Sequence, residues 1–598
     1  MRKGSILITT LVVLLIVAVF STVMVIYFQQ YKKNAEYTSQ RLEAAYRASN
    51  ALNLGISFLK VHFEGILGID VDWKNGKVQW LEDFKKRVFS QTDGDAWKKM
   101  FELVEEDKYY DLALEEGFSE EMSKYELSKT EVIALPFQNS YYTLLVARSQ
   151  VGRAVVYKYA LLSSNFLNKY VYFTEKETRN GEEIHFITQD VIDGPFRSND
   201  VIHVSGEPLF KGSVEFKDID VEEGNGPRYE NPPPKYLTQE DIEKYNMERI
   251  KNYYLTKIRE IVKPASEAVV YPSDVGIELP TIRELVDEWQ YFWWYYRKYF
   301  EPVYVIEFNT PRGQSDNDYL IKVKYKEIYK TYRSSDGQNW EFVSSEEGNL
   351  RELFHIKPKP NSDQYHLVVT GQKAREILGL DKGTYDIHFN GVLKTDTDVY
   401  IKNMSNSGKP MFVEGKYTIV AKNIYVMDHI IYNDFREVLE TIAASQGINS
   451  SSEEKIADET VIRPLDKNGN VETEEYAELL KNHKSDDFLN LVAMENVVVK
   501  KKRKNMKIFA SIYAFDGSFY VEGYDTIKPK GELTIFGSLM QNVRGPIGTF
   551  YWEKEKPQIL TGYRKNYVYD WRVLKGIAAA GTPATEEESL VLLLREVY

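Results

Sequence analysis

At 598 residues, 43% hydrophobic and 28% charged, the chain is long enough for a sizeable core and more than one folded unit. A net charge of −13 speaks against a nucleic-acid partner, which would need a basic face, and suits a self-repelling exterior. With no cysteine, disulfides, Cys nucleophiles, Cys-ligated zinc and iron–sulfur clusters are excluded, so an exported domain would stand on its core alone.

The N-terminus opens with Arg2, Lys3 and Gly4, followed by an uncharged run from Ser5 to Gln30 that is apolar at most positions. Ile6 to Phe28 is about 23 residues, or about 34 Å as a helix, enough to cross a bilayer. No other segment has this character, so one span is predicted. The run is longer than a signal-peptide core and no small-x-small site follows Phe28, which argues against a cleaved signal. Arg2 and Lys3 before it nearly balance Lys32 and Lys33 after it, so charge alone sets orientation weakly. Beyond it, Ala45, Ala48, Leu52, Gly55 and Leu59 recur at steps of three and four without an intervening Pro. One helix is predicted from about Ser5 to Lys60, transmembrane over 6–28 and amphipathic over 35–60.

A short basic leader ending in Gly4, then a span, then an amphipathic continuation resembles a type IV prepilin or pseudopilin, most similar to the PilX-type and K-type minor members. The resemblance implies cleavage by prepilin peptidase between Gly4 and Ser5, methylation of the new N-terminus, and packing of the apolar half in lipid or against other pilin helices. Two positions depart from the major-pilin pattern: Thr9 stands where a Glu is usual, and Ser5 where an aromatic or Met is usual.

Residues 66–180 read as a mixed α/β region, helical at WLEDFKKRVF and DAWKKMFELVEE and extended at YYTLLVARSQVGRAVVYKYALLSS and KYVYFTEKE. Three stretches, 181–220, 385–436 and 495–575, share a texture of strands three to five residues long between Gly, Asn, Asp and Pro. In KYTIVAKNIYVMDHIIY the strands Thr418–Val420, Ile424–Val426 and Ile430–Tyr432 are spaced by about six residues, which suits the coils of a parallel β-helix. A blander all-β sandwich is the alternative. The expected fold class is therefore α+β, mainly β: a long N-terminal helix, then a β-solenoid-like extracytoplasmic domain with helical insertions. The elements Asp193–Asp200, Gly206–Phe210, GKYTIVAKNIYV and Arg544–Arg572 are similar to an uncharacterised extracellular domain family that follows pilin-like helices in bacteria. That resemblance implies no catalytic residues.

Residues 221–302 are expected to be a helical insertion, opening with the linker PRYENPPPKYL and continuing through QEDIEKYNMERIKNYYLTKIREIV and TIRELVDEWQYFWWYYRKYF. Trp289, Trp293, Trp294 and Phe300 in the last run could bind polysaccharide or lie at a membrane surface, but a helix packed on the β core is the expectation. Residues 303–384 read as mixed α/β, 437–494 as a polar helical insertion with a mobile SQGINSSSEEK, and 576–598 as a C-terminal tail with a short helix.

No phosphate-binding loop, dinucleotide fingerprint, HExxH or GxSxG occurs. The eight histidines, His62, His185, His203, His355, His366, His388, His429 and His483, are scattered. His185 and His203 lie in neighbouring predicted strands and could meet across coils, though a stacked surface or core pair is expected rather than a metal pair. Asp396 and Asp398 could ligate Ca²⁺ at a coil corner, with a solvated turn as the default. Asp190 and Asp193 could form an acid–base pair for glycoside or lyase chemistry, but nothing else in the chain supports it. The run Lys500–Lys504 reads as an exposed turn that could touch anionic lipid or cell-wall polymer.

The sequence thus points to a non-enzymatic minor pilin-like protein of the cytoplasmic membrane, single-pass, with its large domain outside. It implies no catalytic residue, metal or cofactor. Its expected partners are lipid, other pilin helices, prepilin peptidase and surface polysaccharide, with no nucleic acid. The rival readings are an anchored carbohydrate-active β-helix enzyme and a static adhesin or scaffold with an uncleaved anchor.

Overall fold

The computed structural model describes residues 2–63, 74–91, 97–98, 101, 104, 106–114, 116–125, 127, 129–136, 142–163, 169–230, 233–308, 319–360, 362, 364–404, 409–465, 471, 475–553, 556–573, 577–584 and 590–597. The fold is α+β, mainly β, with one long N-terminal helix and both parallel and antiparallel sheets. It divides into two units, the first built within residues 1–164 and 588–598 and the second within 165–587.

In the first unit a single helix, α1, runs unbroken over Arg2–Phe63. At 1.5 Å per residue it is about 93 Å long. The side chains described from Thr10 to Tyr37 are all exposed, although most up to Phe28 are apolar. Character changes further along: Ala44, Ala48, Ala51, Leu52 and Ile56 are buried at helical spacing. That stripe packs on an antiparallel sheet whose main strands are Thr130–Pro136, Tyr142–Val151 and Ala154–Ser163.

Both faces of this sheet are covered, which explains why its strands are apolar without alternation. Val132, Ala134, Leu145, Ala147 and Ala160 meet α1. Their strand neighbours Ile133, Leu135, Leu144, Val146 and Tyr159 point the other way, onto the helix Leu81–Phe89 through Leu81, Phe84 and Val88. Small residues let α1 approach closely; a Cβ on Gly55 would lie 3.1 Å from both Leu145 and Val132. At the hairpin turn, Arg153 N–H donates to Gln40 Oε1 at 3.1 Å, and Gly152 sits at φ +56° against the same side chain.

The expected helical C-terminal tail is a strand instead. Leu590–Val597 pairs antiparallel with Ala154–Ser163, so the second unit is inserted between two adjacent strands of the first unit's sheet. The unbroken apolar run Leu590–Leu594 suits a strand as well as a helix, and pairing with a waiting edge decides between them.

The second unit is dominated by parallel ladders. One runs through Val275–Glu278, Phe389–Lys394, Lys416–Ala421, Phe488–Ala493, Lys507–Ala514, Glu532–Val543, Tyr172–Lys176, Phe196–Ser205, Val214–Glu223 and Lys235–Tyr236, every neighbouring pair parallel. A second stacks Tyr304–Ile306 of Trp294–Phe308, then Val399–Ile401, Ile424–Val426, Val497–Val499 and Phe519–Val521. A third ends in Arg564–Tyr569, Val191–Asp193, Leu209–Phe210 and Arg228–Tyr229. Spatial order therefore departs from chain order: the C-terminal rungs sit on the N-terminal ones. Chain 172–236 runs to one end of the stack, and the helices Gln239–Lys244 and Met247–Ile258 lead to the other end at Val262–Pro264, which pairs parallel with Val275–Glu278. Met247, Ile250, Tyr254 and Ile258 share a core with Phe173, Met540, Tyr513, Val492, Val420 and Val392, one residue from each of six successive rungs. Five steps of about 4.8 Å need about 24 Å, and the chain from Tyr245 to Val262, if helical throughout, would supply about 26 Å.

Three sequence expectations change here. PRYENPPPKYL is no linker, because Arg228–Tyr229 and Lys235–Tyr236 are rungs of the ladders. Phe488–Ala493, expected in a polar helical insertion, is a fully buried central rung, although the helices Arg436–Ser445, Glu453–Glu459 and Glu475–Asn482 precede it. The run from Thr281 to Phe300 is a hairpin, not a helix: Glu284–Tyr291 pairs antiparallel with Trp294–Phe308 across a turn with Phe292 at φ +55°. Aromatic residues occupy so many of these positions that a helical period and a strand period fit equally well. Cross-strand pairing decides, with Trp289 stacked on Tyr296 at 5.2 Å and Arg297 bonded to Glu288.

Candidate functional site: the anchor helix and the surface of the second unit

α1 is the feature with the clearest chemistry. Gly4, Ser5 and Ile6 lie within its first turns, while the side chains of residues 1–9 are outside the described ones. From Leu11 to Phe28 the large apolar side chains stand in the open, Phe28 at 73% exposure. Such a surface is stable only where something apolar covers it, whether lipid or other helices. Among the described residues α1 is the one helix long and apolar enough to cross a membrane.

In the second unit the carboxylates considered for chemistry are each held by a cation. Asp190 accepts from Lys565 Nζ at 2.7 Å and from the Lys565 backbone N–H at 3.0 Å. Asp193 is bonded by Arg463, and by Lys481 Nζ at 2.7 Å. All five groups are buried or nearly so, and an acid–base pair needs at least one carboxyl free to exchange protons with substrate. The arrangement gives no support to glycoside or lyase chemistry at these residues. Asp396 and Asp398 do not converge on a cation site either. Asp396 pairs with Lys394 at 3.3 Å, while Asp398 accepts from Asn423 at 3.0 Å in a corner ladder that continues through Asn496.

The basic run is tied down rather than offered to a polymer. Lys500 faces Glu522, Lys501 binds Asp428, Arg503 binds Glu454 and Asp458, and Lys504 binds Glu459. The aromatic run is the opposite case. Instead of packing on the core it ends in a hairpin tip where Phe292 and Trp293 are each 71% exposed.

His62 falls among side chains outside the described ones. His366 pairs with Asp386, His388 with Gln364, and His483 packs edge-on to Phe435. His185 and His203, by contrast, do meet. They are register partners on adjacent parallel strands, His185–Ile187 and Phe196–Ser205, with ring centroids 5.9 Å apart. Asp220 continues the column as the register partner of His203 on Val214–Glu223. Glu183 and Glu222 close it from either side, Glu222 at 3.3 Å from His185 Nε2. Burial pushes the His185 imidazole below its ordinary pKa, against the opposing pull of Glu222. Beside this column a cleft of about 490 Å³ is lined by residues including Glu183, His185, Asp190, Tyr520 and Lys565. Sequence reasoning singled out the two histidines but missed the three carboxylates. The available signal was the spacing, since His185, His203 and Asp220 are eighteen and seventeen residues apart, a nearly constant step from one parallel strand to the next.

No protein-family model and no curated protein matches the chain. Among solved structures, the competence-associated pilin ComZ from Thermus thermophilus is similar over 78% of this chain and 83% of its own, with 9% identity and a TM-score of 0.27. A score that low carries no argument about fold or function.

Proposed function

We propose that this protein is a membrane-anchored, pilin-like subunit that presents a large β domain outside the cytoplasmic membrane and performs no catalysis itself. The observation that carries the reading is the division of labour along α1. One uninterrupted helix has an apolar half whose large side chains from Leu11 to Phe28 are exposed and a second half, from Gln40 to Ile56, packed on its own sheet. A plain signal sequence has no need to continue as a structural helix of the domain it exports. The leader ending at Gly4 adds to this reading through its resemblance to prepilins. On it, prepilin peptidase cuts before Ser5, the new terminus is methylated, and lipid or other pilin helices cover the exposed half.

We further read the three parallel ladders as turns of a β-solenoid. Short strands, corner Asn residues and rung-to-rung register support that description. The exposed aromatic hairpin tip is the place where such a subunit would touch surface polysaccharide.

Intact-mass measurement on protein extracted from membranes of cells with active prepilin peptidase tests the assignment. A chain beginning at Ser5 with one added methyl group is expected. Retention of Met1–Gly4 would leave a static scaffold with an uncleaved anchor, and loss of the whole apolar run would leave a secreted protein.

A further inference from the structure

We propose that Glu183, His203 and Asp220, flanked by His185 and Glu222, form a binding site for one divalent transition-metal ion of the Zn²⁺ class. The inference is independent of the pilin-like reading, since it concerns only four neighbouring strands of the second unit.

The geometry suits a set of metal ligands. Glu183, His203 and Asp220 each bring one ligand atom into a group whose members all lie within 4.8 Å of one another. His203 Nδ1 is 3.6 Å from Glu183 Oε2 and 3.5 Å from Asp220 Oδ2. His185 Nε2 is 3.3 Å from Glu222 Oε2 and 4.0 Å from Glu183 Oε2. A tetrahedral ion bound at about 2.0–2.1 Å holds its ligand atoms about 3.3 Å apart. A hydrogen bond would bring them to about 2.7–3.0 Å.

The second observation concerns His203 alone. Its side chain is 8% exposed, yet its Nδ1 makes no hydrogen bond. A buried ring nitrogen left in that state is destabilising unless something satisfies it. Coordination would do so. It would also offset the repulsion among three half-exposed carboxylates gathered around two imidazoles. Arg544 and Lys565 approach only the His185 carbonyl, at 3.1 and 3.3 Å, and among the described residues neither forms an ion pair with Glu183, Asp220 or Glu222.

Donor chemistry selects the class of ion. An imidazole among carboxylates, with a second imidazole beside it, suits Zn²⁺ and its first-row neighbours, whereas Ca²⁺ and Mg²⁺ prefer an all-oxygen shell. Because Glu183 and His185 also line the 490 Å³ cleft, the site borders a space into which a further ligand could enter.

The test uses the untagged full-length protein in detergent, stripped with chelator and titrated with ZnCl₂ by calorimetry. One equivalent is expected to bind to the wild type. His203→Gln should weaken binding at least tenfold. Asp220→Asn, at a position open to solvent and therefore tolerant of change, should weaken it at least threefold with the thermal transition unchanged. Substitution of Co²⁺ should give the intense visible absorption of a tetrahedral ion. Absence of uptake by folded wild type overturns the proposal. So does equal uptake by the Asp220→Asn and His203→Gln proteins, and so does Ca²⁺ binding as tightly as Zn²⁺.

Discussion

Arg544 Nη1 donates to Glu177 Oε2 at 2.8 Å, and the two residues, 367 apart in the chain, are almost completely buried. The pair lies at the seam where Glu532–Val543 stacks on Tyr172–Lys176, so the late part of the second unit is joined to its beginning by buried charge. Lys565–Asp190 repeats the device one ladder away. Removing one partner strands the other in a dry environment. Glu177→Gln or Arg544→Met is expected to destabilise the second unit by about 3–5 kcal/mol. Replacing both, as Arg544→Met with Glu177→Leu, should recover most of that loss. Thermal melts of the three variants check the sign of the coupling; equal losses in single and double variants would contradict it.

His429 supplies a pH dependence with a definite sign. Lys507 N–H donates to its Nδ1 at 3.1 Å, so the ring proton sits on Nε2, which faces Asp458 Oδ1 at 2.9 Å. The ring is fully buried, and desolvation lowers its pKa from 6.5 to about 4 against the opposing Asp458 bond. Above pH 6.5 neither state carries the extra proton and the site costs nothing. As pH falls from 6.5 towards 4 the unfolded chain takes up a proton that the folded chain refuses, so stability declines by about 3 kcal/mol and then levels off. His429→Gln should flatten the melting temperature across that window.

Gly55 sets the distance between α1 and its sheet. Gly55→Leu would drive a side chain into Leu145 and Val132, and overpacking of this kind costs about 1–3 kcal/mol. The expected result is a lowered melting transition together with new protease cleavage between Gln40 and Phe58, the stretch of α1 that the sheet protects. The apolar half of the helix should still partition into membranes.

The hairpin tip offers a prediction of the opposite kind. Phe292 holds φ +55°, a conformation Gly adopts more readily, and both Phe292 and Trp293 are open to solvent. Phe292→Gly and Trp293→Ser should each change stability by less than about 0.5 kcal/mol. Iodide should quench Trp293 emission efficiently, a difference spectrum against Trp293→Ser giving its share. A shielded Trp293 would mean that the segment packs on the core after all.

What the chain determines by itself is local. An uninterrupted apolar run followed by small residues at helical spacing dictates α1 in both halves, because helix bonds close within four residues and the apolar period names the buried face. Short strands between polar corners were legible from their β-branched residues at Thr418–Val420, Ile424–Val426 and Ile430–Tyr432, and the structure has strands at Lys416–Ala421, Ile424–Val426 and Ile430–Tyr432. Pairing is another matter. That Arg564–Tyr569 stacks on Val191–Asp193, that Leu590–Val597 returns to the sheet of residues 130–163, and that His203 faces both His185 and Asp220 are contacts between distant segments. Each strand could satisfy its backbone against many partners. Only the tertiary structure chooses among them, through the burial of matched faces and the neutralisation of charges such as Asp190 and Glu177 that have no local counter-ion.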